Sequence, residues 1–338
     1  MDQLIEATPD RMTISRKPYG RGFSYFNAQN QRISCKQTKL RIKQLTIPPM
    51  WKDVLISEVD NTHIQAFGYD LKKRKQYIYH ELWHLQQQQK KFAKLYDFAK
   101  QLKAIRAQIH SDLKREKWDY EKACASALML LDKTGVRVGN KAYVKENDTY
   151  GLTTLRRKHV LEQNNKVQLH FTGKHKVERQ IEIDDARLEK LIKTCADLPG
   201  YSLFRFYEKG TWKDLDSDDI NEYIRRTMGS AFSAKDFRTW HGTCEAARKH
   251  KSVIKELNSN TRKKYVPTLV KSVATYLGNT PSVCKLYYIH PSILEALKQA
   301  YDDNLDLSLS ELPQTQADDG FMDDAERFVF ERLANAQS

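Results

Sequence analysis

The chain has 338 residues, 40% hydrophobic and 30% charged, with a net charge of +14, which is enough length for two substantial cores in a globular protein. No apolar run approaches the ~20 residues that a membrane-spanning helix requires, and the N-terminus lacks a basic segment followed by an apolar one, so the expectation is a cytoplasmic protein that inserts in no membrane. Five cysteines (Cys35, Cys124, Cys195, Cys244 and Cys284) are odd in number and without C-x-x-C spacing, which argues for reduced thiols and against a zinc cluster or a disulfide frame.

In chain order, residues 15–50 hold short alternating runs broken by Gly20-Arg21-Gly22 and Pro48-Pro49, and residues 40–47 read as one of them. Residues 53–79 are again strand-like: Val54-Leu55-Ile56 and His63-Ile64-Gln65-Ala66-Phe67 flank an Asp60-Asn61-Thr62 turn. The basic run at residues 71–75 then leads into Gln76-Tyr77-Ile78-Tyr79. Residues 1–88 are thus expected to form a small, mostly β domain, with the polar run 87–91 as a linker. Beyond it Phe92, Leu95, Phe98, Leu102, Ile105 and Ile109 recur at spacings of three and four, the stripe of an amphipathic helix. A second apolar helical run, 123–131, ends near Gly135.

Val167, Leu169 and Phe171 alternate, Gly173-Lys174-His175-Lys176 turns, and Val177, Ile181 and Ile183 return, which predicts a β-hairpin. From residue 186 to about 300 the pattern is helical, with loops near Pro199-Gly200, Gly210 and residues 258–260. The last 37 residues carry ten acids and two bases, a balance of −8, so the preceding body stands at +22. A body this basic most often faces a polyanion. The acidic tail, residues 302–338, is expected to be a disordered linker followed by a final amphipathic helix.

The chemistry-bearing stretches are Gly135-Val136-Arg137-Val138-Gly139, the hairpin tip with Lys174, Lys235-Asp236-Phe237-Arg238-Thr239-Trp240-His241, and Leu277-Gly278-Asn279-Thr280-Pro281 followed by Tyr287-Tyr288. Each has an ordinary explanation by itself: a surface arginine, a solvated turn lysine, an arginine stacked on Trp240, tyrosines at a helix end. In this order, and with Gln76-Tyr77-Ile78-Tyr79, the set resembles the type IB DNA topoisomerases of the compact bacterial and poxvirus kind. The resemblance covers nearly the whole chain except the acidic tail.

That resemblance implies an α+β fold, a small β-rich N-terminal domain and a larger, mainly helical catalytic domain (89–301) with a β-hairpin, closing as a clamp around DNA. It implies relaxation of supercoiled duplex DNA by a monomer, through a phosphotyrosyl intermediate, without a cofactor, ATP or a metal. It places the nucleophile on Tyr288, nine residues after Asn279, the phosphate-binding arginines on Arg137 and Arg238, and the general acid on Lys174. Lys235 matches a lysine near the scissile phosphate, and Gln76, Tyr77 and Tyr79 match groove contacts. Asn279 departs from the histidine of the poxvirus and eukaryotic enzymes; it can donate a hydrogen bond but brings no charge.

Three rivals stand beside this reading. A tyrosine recombinase uses a similar set of arginines, lysine and tyrosine, but typically carries His-x-x-Arg where this chain has Lys235-Asp236-Phe237-Arg238. His80-Glu81-Leu82-Trp83-His84 fits the H-E-x-x-H zinc-protease pattern, though a glutamine run replaces any extension of that motif. A non-enzymatic DNA-coating protein would share the basic charge and form no covalent adduct.

Overall fold

The computed structural model describes residues 4–163, 166–260, 262–305 and 321–336. They belong to two compact units, Met1–Phe92 and Ala93–Ser338, and the architecture is α+β. In the first unit the strands are β1 (Ile14–Tyr19), β2 (Gly22–Phe26), β3 (Lys52–Ile56), β4 (Ile64–Tyr69) and β5 (Lys75–Tyr79), with helix α1 (Lys36–Gln44) between β2 and β3. They form one antiparallel sheet in the order β2-β1-β3-β4-β5, which leaves β5 at an edge. Ile14, Val54, Ile56 and Ala66 bury one face against Ile42 of α1, and the alternation of burial along β3 and β4 follows the two-residue period of a strand.

One expectation fails here. Residues 40–47 are not a strand: α1 occupies Lys36–Gln44. Leu40, half of the apparent alternation with Ile42, is 58% exposed. The residues that pack inward are Ile42 and Leu45, three apart, and the neighbouring Arg41, Lys43 and Gln44 are good helix formers. The polar run 87–91 lies within helix α2 (Glu81–Ala93), just before the boundary between the units at Phe92 and Ala93. Glutamine and lysine have high helix propensity, and no glycine or proline interrupts them.

The second unit holds the remaining helices: α3 (Leu95–Leu113), α4 (Tyr120–Thr134), α5 (Lys141–Asn147), α6 (Ala186–Asp197), α7 (Ser217–Met228), α8 (Ala234–Ser259), α9 (Tyr265–Leu277), α10 (Pro281–Tyr287), α11 (Pro291–Asp302) and α12 (Asp324–Asn335). The expected hairpin is the pair β7 (Lys166–Thr172) and β8 (Glu178–Glu182), extended to three strands by β6 (Val160–Gln163). A further short hairpin, β9 (Arg205–Glu208) with β10 (Thr211–Asp214), turns at Gly210 where only a loop was expected. The core is built on the long helix α8, whose Phe237 and Trp240 lie fully buried against Phe98 of α3.

The acidic linker expected before the last helix falls at residues 306–320, outside the described residues. Helix α12 itself is packed into the core. Phe328, Val329 and Leu333 are buried, and Glu326 accepts hydrogen bonds from Arg106 (2.7 Å) and Trp240 (2.9 Å). Arg106 also binds Asp132 at 2.8 Å. Burial works against ionising Glu326, but the Arg106 charge more than offsets it and holds the carboxyl well below the usual range.

Candidate active site

The C-terminal end of α9 organises the site. Gly278 closes the helix in the left-handed conformation (φ 63°), and Asn279 N–H donates back to Ala274 O at 2.8 Å, a Schellman-type ending. The final carbonyls of a helix have no intrahelical partners and carry partial negative charge. Here four in succession are taken by arginines. Arg179 donates to Thr275 O (3.0 Å) and Tyr276 O (2.6 Å). Arg238 donates to Leu277 O at 3.1 Å and Arg137 to Gly278 O at 2.9 Å.

Arg137 arrives from the segment after α4, which Gly135 (φ 59°) ends. The segment is pinned along the chain at 151–153: Leu152 N–H donates to Arg137 O at 2.7 Å and Thr153 N–H to Val138 O at 2.8 Å. A Cβ on Gly151 would stand 2.6 Å from Arg137 O, so only glycine permits this approach. Arg238, on α8, is 4% exposed and donates its second guanidinium nitrogen to Gly135 O. It thereby ties the Arg137 segment to the end of α9.

Tyr288 caps α10. Its ring lies under the Arg238 guanidinium, 5.1 Å from Cζ to the ring centroid. Its backbone is seated on α8, where the Thr243 hydroxyl donates to Tyr288 O at 3.2 Å. A Cβ on Gly242 would lie 2.4 Å from that carbonyl oxygen, so a glycine at that turn of α8 is what lets the Tyr288 backbone settle there. Asn279 completes the group. Its side-chain oxygen accepts from Arg137, and its amide nitrogen is buried without a hydrogen-bond partner.

Charge at this point is one-sided. Among the described residues, none of Arg137, Arg179 and Arg238 forms an ion pair with a carboxylate. Burial, followed by the adjacent Arg238 charge, pushes the Arg137 pKa down to about 10. Burial lowers Arg238 as well, and burial with the Arg238 charge lowers Arg179. Desolvated guanidiniums that repel one another make a strong site for an anion.

The structure thus brings together Arg137, Arg238, Asn279 and Tyr288. Lys174 and Lys235 are both exposed, Lys174 at the β7–β8 tip and Lys235 in the first turn of α8. Neither side chain bonds to the cluster. The tip is shaped by Gly173 N–H donating to Val177 O at 2.8 Å and by two left-handed residues, His175 (φ 64°) and Lys176 (φ 58°). In the first unit, Tyr77 and Tyr79 of edge strand β5 stack at 5.9 Å on the face opposite Ile78, with Lys75 4.0 Å above Phe67. Gln76 points the other way and donates to Asp70 at 3.1 Å. His80 precedes α2, and its Nδ1 accepts the Leu82 N–H at 3.1 Å. The H-E-x-x-H pattern therefore does not lie on one helical face, and no group of three or more potential ligands could hold a metal among the described residues. No helix among them is long and apolar enough to cross a membrane.

Sequence reasoning missed Arg179. The available signal was its place in the alternation of β8, where it shares the half-buried face with Ile181. An arginine at an inward position of a strand needs a partner, and this one finds it at the end of α9.

Desolvated guanidiniums beside a tyrosine ring and an unpaired amide donor form a site that suits a phosphate. The chain belongs to the type IB DNA topoisomerase family and is an enzyme of the isomerase class. The family described as "Eukaryotic DNA topoisomerase I, catalytic core" matches residues 72–311, and "Bacterial DNA topoisomerase IB, N-terminal domain" matches residues 22–70. The chain is 32% identical over 291 residues to DNA topoisomerase 1B of Acanthamoeba polyphaga mimivirus, covering 83% of this chain and 86% of that protein. It is 28% identical over 313 residues to DNA topoisomerase 1 of Rabbit fibroma virus (strain Kasza), covering 88% and 90%. For DNA topoisomerase 1B of Vaccinia virus (strain Western Reserve) the figure is 26% over 267 residues, covering 76% and 81%. Helix α12 lies beyond the matched catalytic core.

Proposed function

We propose that the protein relaxes supercoiled duplex DNA by cutting one strand with Tyr288, letting it rotate, and resealing it. The observation that carries this reading is the Tyr288 ring beneath Arg238 at 5.1 Å, beside the linked pair Arg137 and Asn279. In cleavage the Tyr288 oxygen bonds to phosphorus and the bond to the 5′-oxygen breaks. The phenolic proton passes to solvent, and Lys174 donates a proton to the departing 5′-oxygen. The product is a 3′-phosphotyrosyl link, and religation is the reverse.

Each residue has a physical task. Arg137 and Arg238 neutralise charge growing on the non-bridging oxygens, and guanidinium forks suit that geometry. The free Asn279 amide N–H adds an uncharged donor. An alkoxide is a poor leaving group, so a proton must arrive as the bond breaks, and a lysine on a hairpin tip can bring it. The bond energy of the cut strand is kept in the phosphotyrosyl link, so no nucleotide is consumed. Tyr77 and Tyr79, with Lys75 beside them, suit contact with base edges and phosphates of the duplex, and Gln76 and Lys235 add polar and charged contacts. The active form is a monomer.

The test is relaxation of supercoiled plasmid carrying no recombination site, with chelator present and ATP absent, followed by denaturant quenching to trap protein on DNA. Relaxation together with a covalent adduct supports the reading. Binding with neither would leave a DNA-coating protein.

A further inference from the structure

Arg179 lies on the returning strand of the hairpin whose tip holds Lys174, in register with Phe171. Its side chain passes between two glycines. A Cβ on Gly173 would come within 3.0 Å of Arg179 Cγ, and a Cβ on Gly278 within 2.7 Å of its Nη1 and 2.8 Å of its Cδ. Gly173 directly precedes Lys174, and Gly278 directly precedes Asn279. Between them the guanidinium holds Thr275 O and Tyr276 O. The end of α9 keeps two other ties, through Arg137 and Arg238. Strand β7 is held separately, where Tyr150 N–H donates to Thr172 O at 2.8 Å, but among the described residues Arg179 makes the hydrogen bonds from this hairpin to the end of α9.

We propose that Arg179 is a positioning residue that fixes the Lys174 hairpin against the helix end carrying Asn279, so that the general acid is registered to the phosphate clamp. This rests on the reading of Lys174 given above. A helix C-terminus attracts a cation, and a fork bonded to two carbonyls fixes direction as well as distance. Lysine at this position would keep the charge but could not hold both carbonyls in one plane.

The consequence is selective. Without Arg179 the hairpin tip loosens, and only the step that needs Lys174 suffers. Arg179→Ala should slow single-turnover cleavage on the order of 10²-fold, the usual effect of misplacing a reacting group by about 1 Å. Arg179→Lys should fall between. On a duplex whose bridging 5′-oxygen at the scissile phosphate is replaced by sulfur, the thiolate departs without a proton. Both variants should then cleave within about threefold of the unmodified protein, a ratio that general loss of folding cannot produce.

Lys174→Ala, run in parallel, separates the two claims. If sulfur restores Lys174→Ala but not the Arg179 variants, Arg179 acts on the phosphate or on Asn279, and the inference is overturned while the general acid stands. If sulfur restores neither, Lys174 is not the general acid and both claims fall. If Arg179→Ala is unfolded by thermal melting, Arg179→Lys decides on the same ratio.

Discussion

Arg137 donates to the side-chain oxygen of Asn279, and that bond fixes which way the amide faces. The oxygen is engaged, so the amide nitrogen is left buried and without a partner. A buried unpaired donor is costly in a folded protein, and a phosphate oxygen would satisfy it. In the proposed clamp the pair would work as one device, with the arginine supplying charge and aiming the neutral donor.

Asn279→Ala removes that donor and should slow cleavage by roughly 10²-fold, the usual effect of deleting one oxyanion donor. Asn279→His can still donate and should stay within about tenfold of the parent. Asn279→Asp should be as slow as alanine, because its carboxylate would pair with Arg137 and face the phosphate. Single-turnover cleavage of a nicked or short duplex measures all three. A wild-type rate for Asn279→Ala would remove the amide from the clamp.

The second prediction concerns α12. Glu326 is buried and binds both Arg106 and Trp240, and Trp240 is two residues from Arg238. Glu326→Ala leaves Arg106 buried with only Asp132 as a carboxylate partner. Loss of one partner from a buried ion pair costs about 3–5 kcal/mol. Urea denaturation should show that loss, and truncation before Phe321 should be at least as damaging. An unchanged midpoint for Glu326→Ala would mean that α12 is an ornament of the surface.

A third prediction follows from His241. Burial, opposed in part by the Asp132 charge, pushes its pKa down to about 4, and neither ring nitrogen has a partner. The unfolded chain binds this proton below about 6.5 while the native protein resists until about 4. Stability should therefore fall as pH drops through that window, by on the order of 3 kcal/mol from this one group. Melting curves between pH 7 and 4 for the parent and for His241→Gln test this. The variant should show the shallower slope, and identical slopes would contradict the assignment.

Much of this architecture could be read from local pattern. The stripe from Leu95 to Ile109, the alternation around Gly173 and the Gly278-Asn279-Thr280-Pro281 break are short-range signals, and the structure forms α3, the β7–β8 hairpin and the α9–α10 turn at those places. The step from Asn279 to Tyr288 came from the family resemblance. What escaped depended on distant partners. Leu40 and Ile42 alternate as a strand would, yet a helix forms because Ile42 and Leu45 find the sheet. Arg179 reads as one more basic residue until α9 is seen to end at its side chain. A final amphipathic helix was legible in the tail, but not that Phe328, Val329 and Leu333 would be buried in the core, where Glu326 of the same helix meets Arg106 and Trp240 from far earlier in the chain.

The central claim is that Tyr288, and not its neighbour Tyr287, takes the broken strand. The structure favours Tyr288 through its seat on Gly242 and Thr243 and its ring under Arg238. The direct measurement is to trap the protein–DNA adduct with denaturant, digest both components, and locate the nucleotide-bearing tyrosine by mass spectrometry. The account predicts a phosphonucleotide on Tyr288, no adduct from Tyr288→Phe despite near-normal duplex binding, and a retained adduct from Tyr287→Phe. A modified Tyr287, or an adduct that survives Tyr288→Phe, would contradict it.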